Sequence, residues 1–283
     1  MEIRPTATAD LPAQYAVFRA AIGGLYRRHA FPPPEPPQEA FVAQQGHLLA
    51  HDADRCFVAE EDGRVVAYTA AFERGDAWFL SSLFVLPEFQ GRGIGARLLE
   101  RAWNERAPRR LTLTDAIQPV SNNLYARRGL VPATPMLALE GTGRTDAPLH
   151  LEPATVDAVA LRALDESAYG FERTVDHRFW ARGGEATLWL RGGEPVAYSY
   201  VWPHGRIGPV AGADAEFAAL ALRAELGRRE GDRVDVVAPG SSAALVTAAV
   251  AAGLRMARPP GLLLASHPSR LPDALAISSY SLF

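Results

Sequence analysis

Leu83-Phe84-Val85-Leu86-Pro87-Glu88-Phe89-Gln90-Gly91-Arg92-Gly93-Ile94-Gly95-Ala96-Arg97-Leu98-Leu99-Glu100 is the stretch that decides the fold. It opens as an apolar strand, breaks at Pro87, passes glycines at alternate positions and becomes an amphipathic helix. Ile94, Leu98, Leu99 and Ala102 share one face of that helix, with Arg97, Glu100 and Arg101 outward. A strand running into glycines that open a helix is a device for holding phosphate. Glycine reaches positive φ and lets a ligand approach the backbone. The free N–H groups of the first helical turn, aided by the helix dipole, then face the anion. The order of residues is not the Gly-x-Gly-x-x-Gly of dinucleotide folds, and no Lys-Ser/Thr follows as in nucleotide triphosphatases.

Working outward, 283 residues suit two domains, each able to bury its own core. A hydrophobic share of 48% and a net charge of -3 describe a globular chain without a nucleic-acid footprint. No apolar run approaches the roughly 20 residues a membrane helix needs, and Met1-Glu2-Ile3-Arg4-Pro5 does not read as a secretory signal. The single cysteine, Cys56, lies in a strand-like run and has no internal partner for a disulfide. A reducing cytoplasm is therefore expected, with Cys56 as an inert buried thiol. All 29 Lys or Arg positions are arginine, so the chain holds no lysine of its own to modify.

The alternation from Glu2 to Thr6 predicts a strand. A helix capped by Asp10 or Thr8 is expected through Ile22, stopped by Gly23-Gly24. The run Phe31 to Pro37 forbids helix and strand alike and is a stiff connector or a pocket wall. A short helix through Phe41, Val42, Leu48 and Leu49 follows. Two strands, from Arg55 and from Arg64, are joined by Glu61-Asp62-Gly63, a strong hairpin signal. The strand from Asp76 enters the glycine loop. After the glycine-headed helix come a strand from Leu111, a helix near Ser121 to Arg128 closed by Gly129, and a strand from Val131 to Leu139.

The order then repeats. Leu151-Glu152-Pro153 echoes Ile3-Arg4-Pro5, and Gly193-Glu194-Pro195-Val196-Ala197-Tyr198 echoes Gly63-Arg64-Val65-Val66-Ala67-Tyr68. Ile207-Gly208-Pro209-Val210 falls where Leu83 to Leu86 stood, but Ala211 to Phe217 lacks the spaced glycines. Asp214 and Glu216 would occupy by charge the helix start that a phosphate needs, so the second copy is expected not to bind the ligand of the first.

Gln90-x-x-Gly93-x-Gly95, preceded by Val85-Leu86-Pro87, resembles the acyl-CoA loop of the GNAT-type N-acetyltransferases. The resemblance implies an α/β chain of two tandem GNAT-like domains, each a mixed, mostly antiparallel sheet flanked by helices. They fall at 1–140 and 149–283, with a polar linker at 141–148. It implies acetyl-CoA as co-substrate, with the pyrophosphate on Gln90, Gly91, Arg92, Gly93, Ile94, Gly95 and Ala96. The backbones of Leu83, Phe84 and Val85 would lie along the pantetheine arm, and Asn123 would meet its amides. The usual asparagine seven residues before the tyrosine is replaced by Gln118. Tyr125, four residues before Gly129, matches the tyrosine that protonates the departing thiolate.

The implied reaction moves an acetyl group to a primary amine of a small molecule or peptide by direct attack in a ternary complex. A mycothiol-synthase-like acyl-CoA transferase and a non-catalytic acyl-CoA-sensing module stand as alternatives. No carboxylate lies on the strand before the loop; Glu73 and Asp76 precede it. A water chain could take the amine proton, or the substrate could arrive already neutral; the resemblance to tandem members of the family adds a terminal carboxylate at Phe283 as a candidate base. The histidines suggest no metal site, since Glu does not follow His47 in the His47/His51 pair. The expected protein is cytoplasmic, a monomer or homodimer, without nucleic-acid or membrane partners.

Overall fold

A computed structural model describes residues 1–144, 150–267 and 273–283. Contacts divide it into two units: Met1–Thr112 with Ile117–Leu130, and Leu113–Ala116 with Val131–Phe283.

The first unit contains β1 (Glu2–Pro5), α1 (Leu11–Arg28), α2 (Gln38–His51), β2 (Cys56–Glu61), β3 (Arg64–Arg74) and β4 (Ala77–Val85). It continues with α3 (Ile94–Ala102), most of β5 (Arg109–Asp115) and α4 (Pro119–Ala126). The strands lie in the order β1-β2-β3-β4-β5. Every neighbouring pair is antiparallel except β4 and β5. Asp62 and Gly63, at φ 51° and 74°, form the tight turn of the β2–β3 hairpin. Val17, Phe41, Val58, Val66, Tyr68, Ile94 and Leu98 close the core between sheet and helices.

Two local expectations change. Helix α1 runs through Gly23-Gly24 instead of stopping there. Continuing buries Ile22, Leu25 and Tyr26 as one cluster against Phe18 and Phe84, which outweighs about 1 kcal/mol of helix propensity lost at each glycine. Asp10 does not cap α1 with its side chain; its carboxylate accepts from the Arg4 guanidinium at 2.7 and 2.9 Å and from Ala7 N at 2.8 Å.

The second unit holds β6 (Val131–Thr142), β7 (Glu152–Ala154), α5 (Ala158–Ala168), α6 (Thr174–Trp180), β8 (Glu185–Arg191) and β9 (Glu194–Val201). Then follow β10 (Ile207–Gly212), α7 (Ala215–Arg228), β11 (Arg233–Pro239), α8 (Ala243–Ala251), β12 (Arg255–Met256), β13 (Gly261–Ala265) and β14 (Leu275–Ala276). One sheet has the order β14-β10-β9-β8-β7; β13, β6 and β11 are successive neighbours in another, with β12 also pairing β6. The element order of the first unit recurs, and both units are mixed, antiparallel-dominated sheets flanked by helices.

The compact units do not follow a boundary at residue 140. Strand β6 pairs antiparallel with β11, from Arg233↔Thr142 to Pro239↔Met136, and with β13. Seven register pairs on one edge and a second partner on the other explain why it counts with the second unit. The expected linker begins inside β6, whose last residues are Gly141 and Thr142; its positions 145–148 lie outside the described residues.

Candidate active site

The site grows from a defect in β4. The β3–β4 register shifts between Ala70↔Ser82 and Ala71↔Leu80, so Ser81 is an extra residue. On its other edge β4 pairs with β5 only from Ala77↔Arg109 to Leu80↔Thr112. Beyond Leu80, residues Ser82 to Val85 keep β3 on one side and, among the described residues, have no strand on the other.

Polar side chains hold this divergence. Thr112 Oγ1 donates to Leu80 O at 2.9 Å, at the last paired rung. Thr69 Oγ1 donates to Ser82 O at 2.9 Å, and Gln45 Nε2 on α2 donates to Ser82 Oγ at 3.1 Å. All four side chains are buried. Tyr68 lies beside them with its hydroxyl buried; burial pushes this phenol far above its ordinary range, against a smaller lowering effect of the Ser82 side chain. Gln45, Thr69 and Tyr68 stand in no functional motif of the sequence. A glutamine on the inward face of α2 was the available signal.

The strand then reaches the glycine loop. Gln90 Nε2 donates to Val85 O at 3.0 Å, closing the last carbonyl of β4. Gly91 and Gly93 take φ 81° and 77°, and a Cβ at either would meet nothing within 4 Å. The space over both is therefore open to a ligand. Gly93 is the N-cap of α3, and no side chain caps that helix. The N–H groups of Ile94, Gly95 and Ala96 accordingly have no partner within the helix. A Cβ at Gly95 would touch Val85 at 3.8 Å and Leu124 at 4.0 Å, so the start of α3, the end of β4 and α4 converge there.

Arg92 is exposed, lies over the Phe89 ring at 4.7 Å and donates to Glu88 O at 3.2 Å. Leu83, Phe84 and Val85 are half-buried, and Asn123 is exposed on α4. Tyr125 is 4% exposed. Its helix ends as expected, with Gly129 at φ 79° and Leu130 N donating to Tyr125 O at 3.1 Å. Burial pushes the Tyr125 phenol well above its ordinary value, so it stays protonated at any working pH.

The opposite face of β4 is aromatic. Phe84 meets Phe18 edge-on at 5.2 Å and Tyr68 face-on at 5.6 Å. Tyr15 fastens the proline-rich segment by donating to Pro36 O at 3.0 Å. Glu73 is engaged by Arg55 and Asn104, both at 2.9 Å, and Asp76 by Arg109. The backbone oxygen of Phe283 accepts from Arg173 inside the second unit. Among the described residues no group of His, Cys, Asp and Glu is placed to hold a metal, and no helix is long and apolar enough to cross a membrane.

Known proteins resemble this chain in sequence and fold. The Acetyltransferase (GNAT) family profile matches residues 23–130, which run from α1 to the end of α4. An uncharacterized N-acetyltransferase of Archaeoglobus fulgidus is 47% identical over 62 residues, 19% of this chain; the chain spans 42% of that relative's length. A putative acetyltransferase from Pyrococcus horikoshii has a similar fold, with TM-score 0.79 at 17% identity over 100% of this chain and 95% of its own. A tandem GNAT protein from the clavulanic acid biosynthesis pathway gives TM-score 0.63 at 15% identity, covering 95% and 99%. The open strand edge and the uncapped glycine helix thus lie within the segment that matches the Acetyltransferase (GNAT) family, and the whole chain shares the fold of these solved structures.

Proposed function

We propose that the first unit transfers an acetyl group from acetyl-CoA to a primary amine of a small molecule or peptide. The observation that carries this reading is the free edge of β4 beyond Leu80, leading into two left-handed glycines and an uncapped helix. A pyrophosphate suits the N–H groups of Ile94 to Ala96, and an amide-bearing arm suits an unpaired strand edge. The neutral amine attacks the thioester carbon, and a β4 N–H stabilises the oxyanion. Collapse forms the amide C–N bond and breaks the C–S bond. The Tyr125 proton goes to the departing thiolate, and the amine proton leaves through water. Desolvation that disfavours the phenolate also disfavours a buried thiolate, which keeps this transfer balanced.

Thiol release from acetyl-CoA across an amine panel tests the reading. Saturable release with at least one amine supports it. Tight acetyl-CoA binding with no release from any amine replaces it with acyl-CoA sensing.

A further inference from the structure

The second unit repeats the divergence of strands but not the open edge. Strands β10 and β11 occupy the places of β4 and β5 in the element order. Arg206, just before β10, forms a parallel bridge with Asp235 of β11, and Asp235 N donates to Gly205 O at 3.1 Å. Past that bridge the gap is filled by protein. On one side β14 pairs antiparallel with β10, Val210↔Ala276 and Ala211↔Leu275, and Gly212 N donates to Ala274 O at 3.0 Å. On the other side Ile277 N donates to Val237 O of β11 at 2.9 Å. The segment 274–277 is hydrogen-bonded to both walls.

Each feature that keeps the first slot open is reversed here. A Cβ at Gly208 would lie 2.3 Å from Ile277 O, so only glycine admits the segment this closely. A Cβ at Gly212 would lie 2.4 Å from Ala218 N, which leaves no room beside the start of α7. Asp214 caps that helix itself, accepting from Phe217 N at 2.8 Å. Beyond the slot the segment stays anchored: Arg206 Nη1 donates to Ser278 O at 3.1 Å, and Arg173 donates to Phe283 O. The Phe283 ring sits 6.0 Å from Tyr169, which directly follows α5, the counterpart of α1. Leu275, Ala276 and Ile277 are wholly buried.

We infer that Ala274–Ile277 is a built-in ligand of the second unit, an extended peptide seated in the slot that its counterpart keeps open for an acyl-CoA arm. The second unit is a strand-binding module already filled from its own chain, and among the described residues the slot of the first unit is the one left open. The occupancy itself does not depend on the acetyl-transfer reading; only the ligand expected in the other slot does.

Amide hydrogen exchange on the intact chain, with and without acetyl-CoA, tests this alongside calorimetric stoichiometry. Gly212 and Ile277 are expected to exchange on the order of a thousandfold more slowly than open loops before any ligand is added. Acetyl-CoA should leave them unchanged, slow exchange in residues 91–96 and bind one per chain. Two bound per chain, or an acetyl-CoA effect on Gly212 and Ile277, overturns the inference. If nothing binds, the acetyl-transfer reading falls, and Ile277 decides alone: protection sustains the built-in ligand, while loop-like exchange removes it. The variant Gly208→Ala should raise exchange at Ile277 at least tenfold; unchanged exchange in that folded variant also counts against the seat.

Discussion

Gln45 on α2 donates its side-chain amide to Ser82 Oγ at 3.1 Å, tying a helix to the bulge where β4 leaves β5. Both residues are buried, so the bond fixes the strand edge from behind. Gln45→Leu removes this buried partner of the Ser82 hydroxyl and should cost about 1–3 kcal/mol of stability. It should also raise KM for acetyl-CoA by loosening the edge. Thermal unfolding and donor-dependent steady-state kinetics check the two halves.

Gly93 takes φ 77° with open space where a Cβ would stand. The substitution Gly93→Ala therefore meets backbone strain without a steric clash, roughly 1–2 kcal/mol. The added methyl group projects into the proposed pyrophosphate seat. Weaker acetyl-CoA binding by calorimetry, out of proportion to the change in Tm, is the expected result.

Tyr125→Phe should lower kcat while leaving acetyl-CoA binding nearly intact. The burial that raises the Tyr125 phenol also sets a pH dependence. Its unfolded value is the ordinary one for tyrosine, about 10, so its stabilising contribution is complete below that pH and is lost as pH rises above it. Alkaline denaturation should accordingly shift to higher pH in the Phe variant.

Asp10 shows the opposite sign. The Arg4 guanidinium holds its carboxyl below the usual carboxylate range, against a smaller opposing effect of burial. Its contribution is present above the ordinary carboxylate pKa and is lost as pH falls through the lowered one. Asp10→Asn should flatten the acid limb of the stability curve, measured by urea midpoints at descending pH.

Arg173 and Asp176 form a buried pair with both side chains at 0% exposure, Nε to Oδ2 at 2.6 Å. Tyr169 and Trp180 stack on the guanidinium at 4.8 and 5.0 Å. Arg173→Met leaves Asp176 charged in the interior and should destabilise by about 3–5 kcal/mol. Urea unfolding followed by tryptophan fluorescence reads the loss.

Much of this was legible in the chain, because glycines and hairpin turns are local. Gly91, Gly93, Gly129 and Asp62-Gly63 take the conformations their positions require. The duplicated order could be read from repeated short strings alone. Other features rest on distant partners and could not. Nothing in Gly23-Gly24 says that Leu25 and Tyr26 will be buried against residues far along the chain. Asp10 looks like a cap until Arg4 is seen beside it. Gln45 and Ser82 are separated by two strands, and β14 is two residues whose meaning lies wholly in the strands it separates.

The position of β6 has a consequence for how the chain is made. This strand leaves the ribosome directly after α4, yet its partners β11 and β13 begin at Arg233 and Gly261. At synthesis speeds of about 5–20 residues per second, β6 spends several seconds as a nascent strand with both edges bare. Translation rate and chaperone supply should therefore govern soluble yield, and a fragment released before β11 emerges should aggregate through that strand.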